Sequence, residues 1–213
     1  VFKKLSNELT RTVKSAELGG LAKEVAEAGI DALLDQDGFV KDLPLVGSVV
    51  ALAKVGASAR DRLLAKKILR FLESLSDIDE KERAEMLEKL EQSEGFRGQV
   101  GERLLEILDG LSIDRQPEMV AKTFAAFARG RISDLELKRL VVAIERTPPH
   151  ELTGARAYAE TPEDARIEAG RSDPMMLLAL QATGLVATSG GYDGGVFHPT
   201  PLLEKFLELD LDR

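Results

Sequence analysis

Apolar residues recur at spacings of three and four along most of the chain, and Gly, Pro or a capping pair cuts each run to the length of one short helix. That period lines the apolar side chains along one helical face, and every such face then needs another to cover it. Phe2, Leu5, Leu9 and Val13 share the first face, and Gly19-Gly20 is expected to end that helix. Leu21, Val25, Ile30 and Leu33 form a second segment that closes at the polar turn Asp35-Gln36-Asp37-Gly38, before a loop and Pro44. Leu64, Ile68, Phe71, Leu72 and Leu75 form a stripe predicted to lie opposite Lys66, Lys67 and Arg70.

The middle of the chain carries the clearest start and stop signals. Asp79 with Glu82 opens a helix holding Met86, Leu87 and Leu90, and Glu94-Gly95 closes it. Val100, Leu104, Ile107, Leu108 and Leu111 mark the next. Pro117 begins one with Val120, Phe124 and Phe127 that stops at Gly130. Ser133 with Glu136 is a capping box, and the helix it starts, with Leu137, Leu140, Val141 and Ile144, ends at Pro148-Pro149. Short turns between helices favour antiparallel neighbours. The polar stretch 148–172, with Pro149, Gly154, Pro162 and Gly170, reads as a connector holding one short helix. The expected organisation is a helical segment over 1–76, a helical bundle over 77–147, the connector, and a small module over 173–213.

In that last module Asp173-Pro174 opens a helix, Gly184 stops it, and Leu185 to Thr188 and Val196 to Pro199 read as strands around a Gly-rich tip. Thr200-Pro201 then opens a final helix to Leu209. This order, carried by Leu180, Gly184-Leu185-Val186, the Gly190 to Gly195 tip and Thr200 to Phe206, resembles the second half of a winged-helix domain. The fold class expected is mainly α, a multi-helix bundle followed by a small winged-helix-like module with one β-hairpin. Phe39 to Leu75, through Asp42-Leu43-Pro44-Leu45-Val46-Gly47 and Arg60-Asp61-Arg62-Leu63, resembles uncharacterised bacterial helical proteins, some of them loosely similar to abortive-infection families. That resemblance implies antiphage defence as a setting and supplies no active site.

Charge narrows the partners. Residues 1–76 hold 12 Lys/Arg and 10 Asp/Glu, residues 77–147 hold 12 and 16, and residues 148–213 hold 5 and 11, for a total of −8. DNA-reading winged helices offer Arg or Lys to phosphates and bases. Here Met175 to Thr183 carries no basic residue, the tip carries Asp193, and Arg166 and Arg171 are too few for the phosphate contacts that affinity requires. Nucleic acid is therefore not the expected partner.

No catalytic motif is recognisable, and no metal or cofactor is expected. The chain has no Cys, which removes disulfides and thiolate sites and points to a reducing cytoplasm, and no signal-peptide pattern opens it. His150 and His198 stand without ligand-type neighbours at supporting spacing. Asp77 and Asp79 begin like a calcium loop, but Lys81 and Glu82 stand where a ligand and the turn Gly belong. The glycines of the tip run into a strand rather than a helix, so they cradle no phosphate.

From Leu43 to Ala59 the only charge is Lys54, and small residues recur at Gly47, Ala51, Ala53, Gly56 and Ala57. As one helix this stretch rises roughly 25 Å, short of a hydrocarbon core of about 30 Å. Lys54 adds an insertion cost of about 2.5 to 3.5 kcal/mol. A buried helix is the first expectation. Self-association or membrane action through Gly47, Ala51 and Lys54, with Lys66, Lys67 and Arg70 facing lipid head groups, is the alternative. The leading functional expectation is a non-enzymatic regulatory or scaffold protein that binds another protein or its own copy through Met176, Leu177, Leu180, Tyr192 and Phe197. A membrane-acting effector and a DNA-binding regulator are the rivals.

Overall fold

The computed structural model describes residues 2–35, 44–53, 58–112, 115–190 and 196–212, and the chain divides into two units, Val1–Ile132 and Ser133–Arg213. It is mainly helical, with one two-stranded antiparallel hairpin toward its C-terminal end, as the apolar periodicity and the final strand pattern predict.

The helices of the first unit are α1 (Phe2–Val13), α2 (Leu18–Ala28), α3 (Ile30–Asp35), α4 (Pro44–Ala53), α5 (Ala59–Leu75), α6 (Glu80–Gln92), α7 (Val100–Gly110) and α8 (Gln116–Ala128). α5 packs against α2, α3, α4, α7 and α8. Its buried residues Leu64, Ala65, Ile68, Leu69, Phe71, Leu72 and Leu75 cover far more than one stripe. A helix apolar over so wide an arc is stable only inside. Phe124 of α8 stands edge-on to Phe71 and to Phe96, with ring centres 6.4 and 5.9 Å apart, a geometry that matches ring edge to ring face.

Three cations tie this unit together, two of them, Arg83 and Lys67, buried. Arg83 of α6 is almost fully buried and donates to the carbonyls of Val13 at 2.7 Å and Ser15 at 2.6 Å, beyond the end of α1, and to that of Ile78. Lys67 of α5 donates to the Asp109 carbonyl at 2.8 Å, in the last turn of α7. Lys89 of α6 donates to the carbonyl of Ala128, the last residue of α8. The last carbonyls of a helix lack intrahelical donors and carry its negative dipole end, so a cation from a neighbouring helix satisfies both at once. The expectation that Lys67 faces away from the apolar stripe is thereby corrected, since its ammonium is buried against the end of α7.

Three boundaries also differ from the sequence reading. Gly19-Gly20 fall inside the first turn of α2, because the break comes earlier, where Ser15 Oγ accepts the Glu17 N–H at 3.2 Å. Gly29, at φ 79°, separates α2 from α3. A single helix across 43–59 does not form either. Ser58 is extended and caps α5, its Oγ accepting the Asp61 N–H at 3.2 Å while the Asp61 carboxylate accepts the Ser58 N–H at 3.0 Å.

The second unit contains α9 (Asp134–Arg146), α10 (Pro149–Leu152), α11 (Ala155–Glu160), a 3-10 turn at Glu163–Ala165, α12 (Arg166–Ser172), α13 (Pro174–Ala182), β1 (Val186–Ser189), β2 (Val196–Pro199) and α14 (Pro201–Glu208). The strands pair from Val186 with Pro199 to Ser189 with Val196. Thr200 fixes the exit from β2: its N–H donates to the Leu185 carbonyl at 3.0 Å, its hydroxyl to that of Gly184 at 2.7 Å, and it caps α14. α14 packs on α9, α11 and β2, whereas α13 packs on α10, α12 and β1.

Residues 148–172 are more ordered than a connector with one helix. Leu152, Ala155 and Tyr158 are buried, and Tyr158 donates its hydroxyl to the Phe197 carbonyl at 2.8 Å. Three apolar anchors at helical spacing suffice to fold a stretch whose overall composition is polar. Arg156 of α11 grips the far end of α14, donating to both Asp212 oxygens at 2.7 Å and to the Leu207 carbonyl at 3.1 Å.

Replacing Arg83 with Met leaves three carbonyls without their donor, at about 1 to 3 kcal/mol for each buried unsatisfied group. The urea midpoint should fall by the equivalent of at least about 3 kcal/mol on that account, with Arg83→Lys recovering only part of it, because one ammonium cannot span the fork.

The α9 capping box predicts a pH dependence. The Ser133 backbone and hydroxyl donate to Glu136 at 2.7 Å and hold its carboxyl below the usual range. Its folded value is depressed, so its contribution is present above the ordinary glutamate value of about 4.3 and is lost as pH falls through the lower folded value. Glu136→Ala should unfold more readily than wild type at neutral pH and converge with it in acid. Ser133→Ala should cost about 1 kcal/mol at neutral pH.

Candidate functional site

α4 holds the first group of candidate residues. Leu45, Val46, Val49 and Ala53 are buried in the first unit's core, while Gly47 and Ala51 stand exposed on the opposite side. A Cβ built on Gly47 meets nothing within 4 Å, so no described residue packs against that position. Lys54 lies outside the described residues. Among the described residues no helix is long and apolar enough to cross a membrane.

The basic row expected to face lipid is dispersed. Lys66 forms an ion pair with Asp31 of α3, whose carboxyl the Lys66 hydrogen bond holds below its ordinary value. Lys67 is the buried donor to α7 already described, and burial pushes its ammonium down. Arg70 alone of the three is exposed.

In the second unit, Met176, Leu177 and Leu180 turn inward and are buried, so these proposed contacts serve the unit's own core. Phe197 is half-buried on β2, with its carbonyl taken by Tyr158. Tyr192 lies outside the described residues. The exposed side of α13 is instead Met175, 67% exposed, and Leu178, 51% exposed. At 100° per residue these two lie within about 60° of each other, and no charged residue interrupts α13. Both faces of this helix are apolar. The sequence signalled this, because a helix apolar all round must either be wholly buried or expose a patch.

α9 repeats the pattern. Leu137, Leu140, Val141, Ala143 and Ile144 face the core, while Leu135, 55% exposed, and Val142, 40% exposed, point away from it. Among the described residues, five of the seven large apolar side chains that stand exposed belong to Ser133–Arg213: Leu135, Val142, Ile167, Met175 and Leu178. Exposed apolar groups concentrate where a surface is used for binding.

A polar groove of about 680 Å³ in the first unit runs between α1, α6 and α7, with Lys3, Lys14, Glu88, Glu91 and Glu102 along it. Charges of both signs line it. α1 and α7 approach closely there, since a Cβ on Gly101 would collide with the Ser6 carbonyl oxygen and lie 3.1 Å from Thr10 Cγ2. On α5, Glu73 has its carboxyl raised by burial, opposed by Arg70.

The two histidines have local partners. His198 Nε2 lies 2.9 Å from Ser189 Oγ across the hairpin, and His150 Nε2 lies 3.4 Å from Glu151. No group of three or more His, Asp or Glu able to hold a metal ion occurs among the described residues. Compared with known proteins, the chain matches no family model, no curated protein and no solved structure.

The two glycines with opposite surroundings give opposite expectations. Gly101→Ala should force α1 from α7 and lower stability by about 1 to 3 kcal/mol. Gly47→Ala, in an exposed helix interior with open space around it, should raise stability by about 0.5 to 1 kcal/mol. Thermal unfolding of the two variants beside wild type reads both signs.

Proposed function

We propose that the chain is a non-enzymatic regulatory or scaffold protein that binds another protein, or its own copy, through the Ser133–Arg213 unit. The observation that carries this reading is the outward face of α13. On α13, Met175 and Leu178 stand exposed with no cation beside them on that helix. Apolar side chains held out on a packed helix favour a protein surface, since a phosphate backbone needs several Lys or Arg contacts.

The hairpin supports the same reading. β1 exposes Ala187, Thr188 and Ser189, which are uncharged, and the two hydroxyls offer hydrogen bonds without attracting a polyanion. Membrane action through α4 draws less support: Lys66 and Lys67 are engaged with Asp31 and the end of α7, and the described part of that helix is ten residues.

The test pairs light scattering over a concentration range with protein capture from the native lysate. Wild type should self-associate or retain a protein, and the double variant Met175→Glu/Leu178→Glu should lose that association while melting as wild type does. A monodisperse monomer that retains no protein overturns the proposal.

A further inference from the structure

We infer that the outward face of α9 is a docking strip for an acidic amphipathic segment of a partner protein, an inference that rests on the protein-binding reading above and names the chemistry of the partner. Leu135, Arg139, Val142 and Arg146 follow one another at spacings of four, three and four. At 100° per residue they fall within an arc of about 60°, and they run about 16 Å along the helix, three turns. All four are exposed. The strip alternates an apolar side chain with a guanidinium, twice over.

The cations of this strip are not spent on any described residue. Lys138, beside it, pairs with Asp134 at 2.7 Å, and Glu136 is taken up by the capping box. Arg139 and Arg146 form no ion pair or side-chain hydrogen bond among the described residues; Glu145 stands exposed at the edge of the strip. The helix beneath is held from the other side by five buried apolar residues and from its start by Ser133, so the four side chains are presented on a rigid support. Such preorganisation lowers the ordering cost of binding.

Charge complementarity selects the occupant. Residues 133–213 hold 8 Lys/Arg against 14 Asp/Glu, so the strip is a local positive feature on an acidic unit. Two copies of the strip facing each other would gather four guanidiniums at one seam, which costs rather than contributes. An anionic bilayer would meet two apolar side chains on a unit it repels overall. Nucleic acid would find two phosphate contacts where it needs several. A helix with Leu-type anchors at matching spacing and Asp or Glu between them satisfies both elements: its apolar residues cover Leu135 and Val142, and its carboxylates meet the guanidinium forks, which suit paired oxygens.

The probe is a fluorescein-labelled synthetic helical peptide with Leu at positions i, i+3 and i+7 and Glu between them, titrated with the full chain and followed by anisotropy. Wild type should bind saturably, and Arg139→Glu/Arg146→Glu should weaken binding by at least about tenfold with an unchanged melting curve. The same variant should gain affinity for the matching peptide with Lys in place of Glu, a charge-swap rescue that misfolding cannot mimic. Absence of saturable binding by wild type, or equal binding by the reversed variant, overturns the inference. So does capture of wild type by phosphatidylglycerol vesicles, or a concentration-dependent rise in mass, that the α9 variant alone abolishes. If the α9 strip fails while Met175→Glu/Leu178→Glu still abolishes association, the broader reading stands without it; if neither variant changes association, the broader reading falls.

Discussion

A guanidinium buried among backbone carbonyls is the interaction on which the first unit depends. Arg83 reaches from α6 to the end of α1 and to the turn that follows α5, so one side chain fixes the relation of three helices. Burial opposes its charge and pushes its pKa down, while Glu80 and Asp79 act in the opposite direction. A buried cation survives when its hydrogen bonds replace those it gave to water, and a helix end offers oxygens with no other donor. Lys67 and Lys89 apply the same solution to α7 and α8, and in the second unit Arg156 does so for α14.

This use of cations bears on function. Positive charge that would otherwise form a surface stripe for lipid or nucleic acid is partly drawn inward to close helices. Lys67 is the plainest example, because its neighbours Lys66 and Arg70 are less buried and it alone is directed into the packing between α5 and α7. The exposed arginines of α9 differ in kind: no helix end or carboxylate of the described chain takes them, and they alternate with apolar side chains. The second unit therefore carries two unlike surfaces, an uncharged one on α13 and a mixed apolar and basic one on α9.

The architecture was legible because helix signals are local. The Ser133–Glu136 box, Pro117, Gly184 and the Thr200-Pro201 start all act within a few residues, and each lies where its element begins or ends. Where signals competed, the sequence misled. Gly19-Gly20 looked like a stop but occupies a first helical turn, where Gly costs little, and the weaker Ser15 turn set the true break. Leu43 to Ala59 looked continuous because its apolar content hid Ser58, whose cap with Asp61 begins the next helix. The site was less legible than the fold. Choosing Met176, Leu177 and Leu180 as contacts picked the buried face of α13, since apolar residues on both sides leave the period without a direction.

By itself the sequence determined which segments are helical, where most of them end, that the last module is a helix, a hairpin and a helix, and that α13 carries no charged residue. Those are properties of residues within reach of one another along the chain. Only the tertiary structure decided that Lys67 and Arg83 are internal, that Met175 and Leu178 are the outward pair, and that no described carboxylate pairs with Arg139 or Arg146. The reason is physical: burial and pairing depend on what other helices bring to a side chain, and the atoms that claim Arg83 and Lys67 lie about 70 and 42 positions away in the chain.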